Sequence, residues 1–222
     1  HPTPHRRIPP NLELFAPMFN RSGLTARVRL WKTMLATIRH TPPQSPEAPT
    51  LVIAHGLYGS ARNWGVIARR LADRREVVAV DVGYGQLAWS LRSDDRVVVI
   101  ERTNIRDLTT PDAIGGPVDL VVADLSFISL ATVLPALTTC ASPDADIVPM
   151  VKPQFEVGKG LVGAGGVVSD PQLRASAVLG VAARARELNW ETVGVIASPL
   201  PGPSGNVEYF LWLRARCDAP LR

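Results

Sequence analysis

Residues 119–124, with the sequence DLVVAD, place four apolar residues between two aspartates, and this stretch decides the fold prediction. An unbroken apolar run of this length is typical of a strand buried on both faces, as strands are in a parallel sheet. Six further strands are predicted on similar grounds, at residues 51–54, 76–80, 96–100, 146–151, 192–197 and 207–214. Helical patterns lie between several of them, at residues 61–71, 86–91, 129–137 and 171–188. The alternation predicts an α/β fold with a mostly parallel, seven-stranded sheet and helices on both faces.

Charged residues stand where the second, fourth and fifth predicted strands end; they are Asp81, Asp124 and Lys152. Sheets of this kind bind ligands at the carboxyl ends of their strands, so we expect the chemistry there. Asp81 has two interpretations. It is either an acid that accepts hydrogen bonds from the ribose of a nucleotide ligand, or an ordinary turn residue.

Lys152 also has two interpretations. A lysine that closes an apolar strand is costly to bury without a partner, so a structural ion pair with Asp124 is the simpler one. The other is catalytic, because a ribose 2′-hydroxyl is a weak nucleophile at neutral pH and needs a base. A buried lysine can take that proton if carboxylates hold it in place. Glu208, near the start of the last predicted strand, would supply the second carboxylate beside Asp124.

Longer stretches of the chain resemble a known family. They are DVGYGQLAW at residues 81–89, ERTN at 101–104, DLVVADLSFIS at 119–129, VKPQFE at 151–156 and PGPSGNVEY at 201–209. From about residue 77 to residue 218 the chain resembles the catalytic domain of the TlyA-type (hemolysin A-like) bacterial ribosomal RNA 2′-O-methyltransferases. These are relatives of the FtsJ-like group.

The resemblance implies a Rossmann-like class I methyltransferase fold, S-adenosylmethionine as cofactor, and ribosomal RNA or a ribosomal subunit as partner. In that family a Lys-Asp-Lys-Glu set carries methyl transfer, and Asp124, Lys152 and Glu208 fill its last three places. Asp81 and Asn104 fall where the family meets the ribose and adenine side of the cofactor. Asp124 is expected to lie against the cofactor as well.

The resemblance stops upstream of residue 77. The family's S4-like RNA-binding module, its first catalytic lysine and its glycine-rich cofactor loop have no recognisable match there. Residues 34–81 instead resemble the start of an α/β-hydrolase, so the chain is predicted to be chimeric, with residues 50–76 replacing the first strand, cofactor loop and helix. Gly56 and Gly59 remain candidates to bring backbone amides to the cofactor at a helix N-terminus. We expect weaker cofactor binding and impaired activity.

Two alternatives stay open. One is an α/β-hydrolase (esterase) fragment, which rests on residues 34–81. Its catalytic triad would be incomplete, because the sequence contains no Gly-x-Ser-x-Gly elbow and its histidines are at positions 1, 5, 40 and 55 only. The other is a non-catalytic relic that binds RNA or the cofactor.

The domain organisation follows from composition. Residues 1–49 are predicted to be a basic, proline-rich arm and linker with little order, ahead of an α/β domain at residues 50–218. Residues 1–50 carry seven of the 24 basic residues and two of the 20 acidic ones, so the remaining chain is close to neutral. The arm is either a contact for RNA phosphates or a solvated leader.

The remaining composition excludes several classes of protein. No apolar run approaches the roughly 20 residues of a membrane helix. The two cysteines form neither a disulfide framework nor a metal spacing, which predicts a cytoplasmic location, where thiols stay reduced, and no metal site.

Overall fold

The computed structural model describes residues 50–54, for which the backbone alone is considered, and residues 76–216 except 86, 88 and 203. The basic arm, the predicted helix at residues 61–71 and both candidate glycines, Gly56 and Gly59, lie outside the described residues.

The described strands form one sheet. They are β1 (Thr50–Ala54), β2 (Val77–Val80), β3 (Val97–Ile100), β4 (Val118–Asp124), β5 (Ala141–Val151), β6 (Trp190–Ala197) and β7 (Tyr209–Ala215). Their order in space is β3-β2-β1-β4-β5-β7-β6. All pairings from β3 across to β5 are parallel, whereas β7 runs antiparallel to both β5 and β6. The mostly parallel α/β architecture predicted from the sequence is confirmed.

Four α-helices lie in the described residues: α1 (Trp89–Arg92), α2 (Leu130–Cys140), α3 (Pro153–Glu156) and α4 (Pro171–Glu187). The predicted helix at residues 129–137 extends to Cys140, because Val133, Leu137 and Cys140 continue one buried face at helical spacing. Of the helix predicted at residues 86–91, the described residues show one turn, α1, and Leu87 lies in a bend before it. The short helix α3, directly after Lys152, is an element that the sequence did not predict.

The two faces of the sheet bury separate apolar clusters. Val78 and Val80 of β2 belong to the larger cluster, which α2 and α4 cover, and this cluster contains fully buried residues such as Leu134 and Leu213. Val77 and Ala79 of β2 face the other way and pack with the segment around α1. Successive side chains of a strand point to opposite faces, so this division requires covering elements on both sides.

The registers place the strand ends that matter at one edge. Ala54 pairs with Asp124, and Ala123 pairs with Pro149, so β1, β4 and β5 end close to one another. Val151 of β5 pairs with Tyr209, the first residue of the antiparallel strand β7. The start of β7 therefore lies beside the end of β5, and Glu208 stands one residue before β7 rather than within the predicted strand.

Candidate active site

Asp124 and Lys152 form an ion pair at the ends of β4 and β5. The distance from Lys152 Nζ to Asp124 Oδ1 is 2.7 Å, and the two side chains are only 11% and 9% exposed. Lys152 Nζ also donates a hydrogen bond to Ser126 Oγ at 3.2 Å. The amine is thus held between Asp124, the last residue of β4, and Ser126 in the loop that follows. The pairing with Asp124 is the one that both interpretations of Lys152 predicted.

Glu208 is brought to this pair by the register of β5 and β7. Its side chain is buried, and Gln154 Nε2 donates a hydrogen bond to Glu208 Oε1 at 3.2 Å. Burial raises the pKa of the Glu208 carboxyl above its ordinary value. The positive charge of Lys152 and the hydrogen bond from Gln154 oppose this rise in pKa, whereas the negative charge of Asp124 adds to it. The three residues predicted as catalytic therefore lie within electrostatic reach of one another.

Glu156 ties together the two loops that carry the ion pair. It ends the short helix α3 and accepts hydrogen bonds from Ser129 Oγ at 2.6 Å and from the Leu130 backbone N–H at 2.7 Å. Both donors lie at the start of α2, where the first backbone N–H groups of a helix lack intrahelical partners. Burial raises the pKa of the Glu156 carboxyl, although these hydrogen bonds oppose the shift. The contact fixes the loop after β5 against the loop after β4, and so the position of Lys152 relative to Asp124.

A cavity of about 320 Å³ lies beside this cluster, between the loops that follow β2, β3 and β4. Residues from each of these loops line it, among them Val82, Thr103, Asn104, Ser126 and Phe127. Ser126 is the link between cavity and ion pair, because its side chain also accepts the hydrogen bond from Lys152. A small ligand in the cavity would therefore lie next to the lysine.

The residues predicted to bind the cofactor differ in their relation to this cavity. Asn104 lines it, and its Oδ1 also accepts a hydrogen bond from the Arg106 backbone N–H at 3.1 Å. Asp81 and Asp124 do not line the cavity themselves, although their sequence neighbours Val82 and Leu125 do. Asp81 is buried and accepts a hydrogen bond from the Gly83 N–H at 2.7 Å, so it shapes the loop after β2.

Three residues of the site were not predicted as such, namely Ser126, Gln154 and Glu156. All three lie within the stretches that carry the family resemblance, and all are polar residues close to the end of β4 or β5. That position is the only signal in the sequence, because their hydrogen-bond partners are more than 20 positions away along the chain.

The described part of the chain contains no metal-ligand cluster, no helix that could span a membrane and no histidine. No group of three His, Cys, Asp or Glu residues there is placed to hold a metal ion. None of the helices of residues 76–216 is both long and apolar enough to cross a membrane. All four histidines, which a hydrolase triad would need, lie outside the described residues.

The part of the chain that carries this site is similar to known proteins. The model of the FtsJ-like methyltransferase family matches residues 63–215. The chain is 79% identical over 153 residues to the 16S/23S rRNA (cytidine-2′-O)-methyltransferase TlyA of Mycobacterium tuberculosis, covering 68% of this chain and 57% of that protein. A solved structure from Streptococcus thermophilus that carries the name hemolysin has a TM-score of 0.70 and 32% identity, with 90% of this chain and 68% of that chain covered.

The chain spans little more than half the length of the TlyA protein it matches. It is also 28% identical over 105 residues to a Haemophilus influenzae protein named as an esterase or lipase, covering 42% of this chain and 37% of that protein. The methyltransferase match begins at residue 63, upstream of the predicted start near residue 77 and inside the stretch that resembles a hydrolase. The chimeric origin is therefore not confirmed and stays a prediction. The match from residue 63 to residue 215 shows that the chain belongs to the FtsJ-like methyltransferase family.

Proposed function

We propose that this chain transfers a methyl group from S-adenosylmethionine to a ribose 2′-hydroxyl of ribosomal RNA. One observation carries the proposal. A buried lysine amine, Lys152 Nζ, lies 2.7 Å from Asp124, senses the charge of Glu208 and is hydrogen-bonded to Ser126, which lines a cavity of about 320 Å³. The similarity to the mycobacterial TlyA enzyme supports the choice of ribosomal RNA as substrate.

The cavity fits a small ligand in size, and Asn104, one of the residues predicted to bind the cofactor, lines it. Its volume of about 320 Å³ lies within the range of small-molecule sites, about 300–1,000 Å³. Asn104 would present its amide to the adenine side, and the Asp81 carboxylate, with about four acceptor positions, would accept hydrogen bonds from the ribose. S-adenosylmethionine supplies an electrophilic methyl group on a sulfonium. Gly56 and Gly59 remain proposed contacts, as does the weakened binding expected from the segment that contains them.

Lys152 Nζ, in its uncharged form, is the atom that would take the proton of the 2′-hydroxyl, so the ammonium of the ion pair must first release one proton to solvent. A base must also lie within hydrogen-bond reach of the proton it removes, so the position of Nζ matters. Asp124 and Ser126 fix the position of Nζ from one side, and the carboxylate of Glu208 stabilises the positive charge of the protonated amine. Partial exclusion of water from this cluster strengthens these electrostatic interactions.

The proposal is tested by methyl incorporation from tritiated S-adenosylmethionine into ribosomal subunits that lack the modification. Lys152→Ala is expected to lower kcat by at least about 100-fold, in line with the loss of a general base. Lys159→Ala, which removes the same side chain from an exposed position seven residues away, is the matched control and should keep kcat. Incorporation that is unchanged by Lys152→Ala would remove the mechanism.

The substrate and the domain organisation are further parts of the proposal. We expect the 2′-O-methylated nucleotide to lie in ribosomal RNA and the reaction to take place in the cytoplasm, where ribosomes are modified. The α/β domain at residues 50–218 would hold the chemistry, and the basic arm at residues 1–49 would add phosphate contacts. In that case deletion of the arm reduces the salt dependence of RNA binding, because fewer counterions are released.

A further inference from the structure

The segment between β6 and β7 holds Glu208 in place through its backbone. The Gly202 N–H donates to the Asn206 carbonyl at 2.9 Å, and the Gly205 N–H donates to the Gly202 carbonyl at 2.8 Å. Asn206 is 3% exposed, and both the oxygen and the nitrogen of its side-chain amide form hydrogen bonds with the loop before α4. The tight turn therefore has little freedom to move away from Glu208.

Gly202 lies directly against the carboxyl group of Glu208. A Cβ atom on Gly202 would stand 2.8 Å from Glu208 Oε1 and 3.1 Å from Glu208 Cδ. The 2.8 Å distance is shorter than the contacts that Cβ atoms make in proteins, so the carboxyl group would have to move. The same oxygen, Oε1, accepts the hydrogen bond from Gln154 Nε2. One oxygen of the carboxylate is thus confined between the Gly202 backbone and the Gln154 amide.

The requirement for glycine at this position concerns space. Seven described glycines have positive φ angles, and Gly202 is not one of them, whereas its neighbour Gly205 has φ 86°. An alanine could adopt the backbone conformation of residue 202, so only the missing Cβ distinguishes glycine there.

We propose that Gly202 is a positioning residue for methyl transfer: its lack of a side chain lets the Glu208 carboxylate approach Gln154 and Lys152. The inference rests on the proposed function. Gly202→Ala would push the carboxylate away from this position, while the cavity for the cofactor, on the far side of Ser126, would be unaffected. A displacement of a catalytic group by about 1 Å costs on the order of 100-fold in rate.

The first test compares steady-state kinetics of methyl transfer to ribosomal subunits. Gly202→Ala is expected to lower kcat between about 10- and 100-fold while the KM for S-adenosylmethionine stays constant. Gly160→Ala is the matched control, because a Cβ there meets nothing within 4 Å and the φ angle is not positive. Equal kcat values for wild type and Gly202→Ala would overturn the inference.

A shorter acid provides the second test. Aspartate at position 208 withdraws the carboxylate by one methylene and makes room for the new Cβ. Glu208→Asp is therefore expected to lower kcat in the wild-type background but to raise it in the Gly202→Ala background. A loss of kcat in both backgrounds would show that Gly202 acts only through the general integrity of the loop, and would overturn the inference.

A third measurement does not depend on catalysis. Titration of the Glu208 carboxyl carbon by NMR should give a different pKa in Gly202→Ala than in the wild type and in Gly160→Ala. If the wild-type chain transfers no methyl group, the proposed function fails, and this titration still decides whether Gly202 positions Glu208. An unchanged Glu208 pKa would refute the positioning, and a changed one would support it. Should Gly202→Ala fold poorly, Gly202→Ala/Glu208→Ala, which has no carboxyl to displace, is expected to fold as well as Glu208→Ala.

Discussion

Replacement of Asn206 by alanine separates two segments that the structure joins next to the proposed catalytic acid. Asn206 Oδ1 accepts a hydrogen bond from the Val168 N–H at 2.9 Å, and Asn206 Nδ2 donates to the Gly166 carbonyl at 2.8 Å. Asn206→Ala removes the amide oxygen and nitrogen that form these two hydrogen bonds. The loop before α4 is then no longer held to the turn that precedes Glu208.

The expected loss in the free energy of unfolding depends on how exposed the Val168 N–H and the Gly166 carbonyl are. Val168 is 2% exposed, so its N–H would be left without an acceptor in a buried place, at a cost of about 1–3 kcal/mol. Gly166 is exposed, so its carbonyl can bind water instead, and the loss there is only about 0.5–1.5 kcal/mol. Together the free energy of unfolding should fall by about 2–4 kcal/mol, a large share of the total stability of a domain, about 5–15 kcal/mol.

Urea denaturation of the wild type, Asn206→Ala and Gln172→Ala measures this difference. Gln172 carries the same amide group on an exposed position of α4, so its truncation should change the free energy of unfolding by less than about 0.5 kcal/mol. Hydrogen exchange of the Val168 amide is the local readout, and its protection should fall in Asn206→Ala only. Unchanged stability together with full protection of the Val168 amide would refute the reasoning.

The other predictions concern buried ionisable groups. Because burial raises the pKa of Glu208 above 4.5, this carboxyl stabilises the fold most below that pH, and its contribution falls as the pH rises through the raised pKa. Glu208→Gln should therefore gain stability relative to wild type between pH 4 and pH 8 in urea titrations, and a constant difference would contradict this. Glu156→Ala leaves the Ser129 hydroxyl and the Leu130 N–H without their acceptor and should lower the free energy of unfolding by about 2–4 kcal/mol; a loss below about 0.5 kcal/mol would show that the contact is dispensable. Burial raises the pKa of the Cys140 thiol to about 11, so this thiol should not react with Ellman's reagent at pH 8 until the chain is unfolded. Rapid labelling that disappears in Cys140→Ala would disprove that prediction.

The sequence was sufficient for the part of the site that the parallel strands build. Apolar runs that end on Asp124 and Lys152 predict that these side chains meet, because parallel strands that neighbour one another end at the same edge. The 2.7 Å ion pair agrees with that expectation. It does not by itself separate the structural interpretation from the catalytic one, which is why the Lys152→Ala assay is needed.

The sequence was insufficient where long-range geometry decides. Nothing in the apolar pattern of the last strand shows that it runs antiparallel and inserts between β5 and β6, yet this places Glu208 beside the end of β5. The role of Gly202 is invisible for a similar reason. A glycine in a Pro-Gly-Pro-Ser-Gly segment predicts a turn, and only the structure shows that its missing Cβ makes room for a carboxylate.

The insertion of β7 between β5 and β6 also sets the order in which the chain can complete itself during synthesis. The β6 segment leaves the ribosome before β7, and among the described strands β6 pairs with β7 alone, so it lacks this partner at that time. Until β7 emerges, β5 presents an open edge and the proposed acid Glu208 is still missing. Nascent chains stalled in this interval would carry one unpaired strand, β6, and one open sheet edge on β5, which are the usual templates for aggregation. The proposed methyl transfer would therefore begin only when nearly the whole domain has been made.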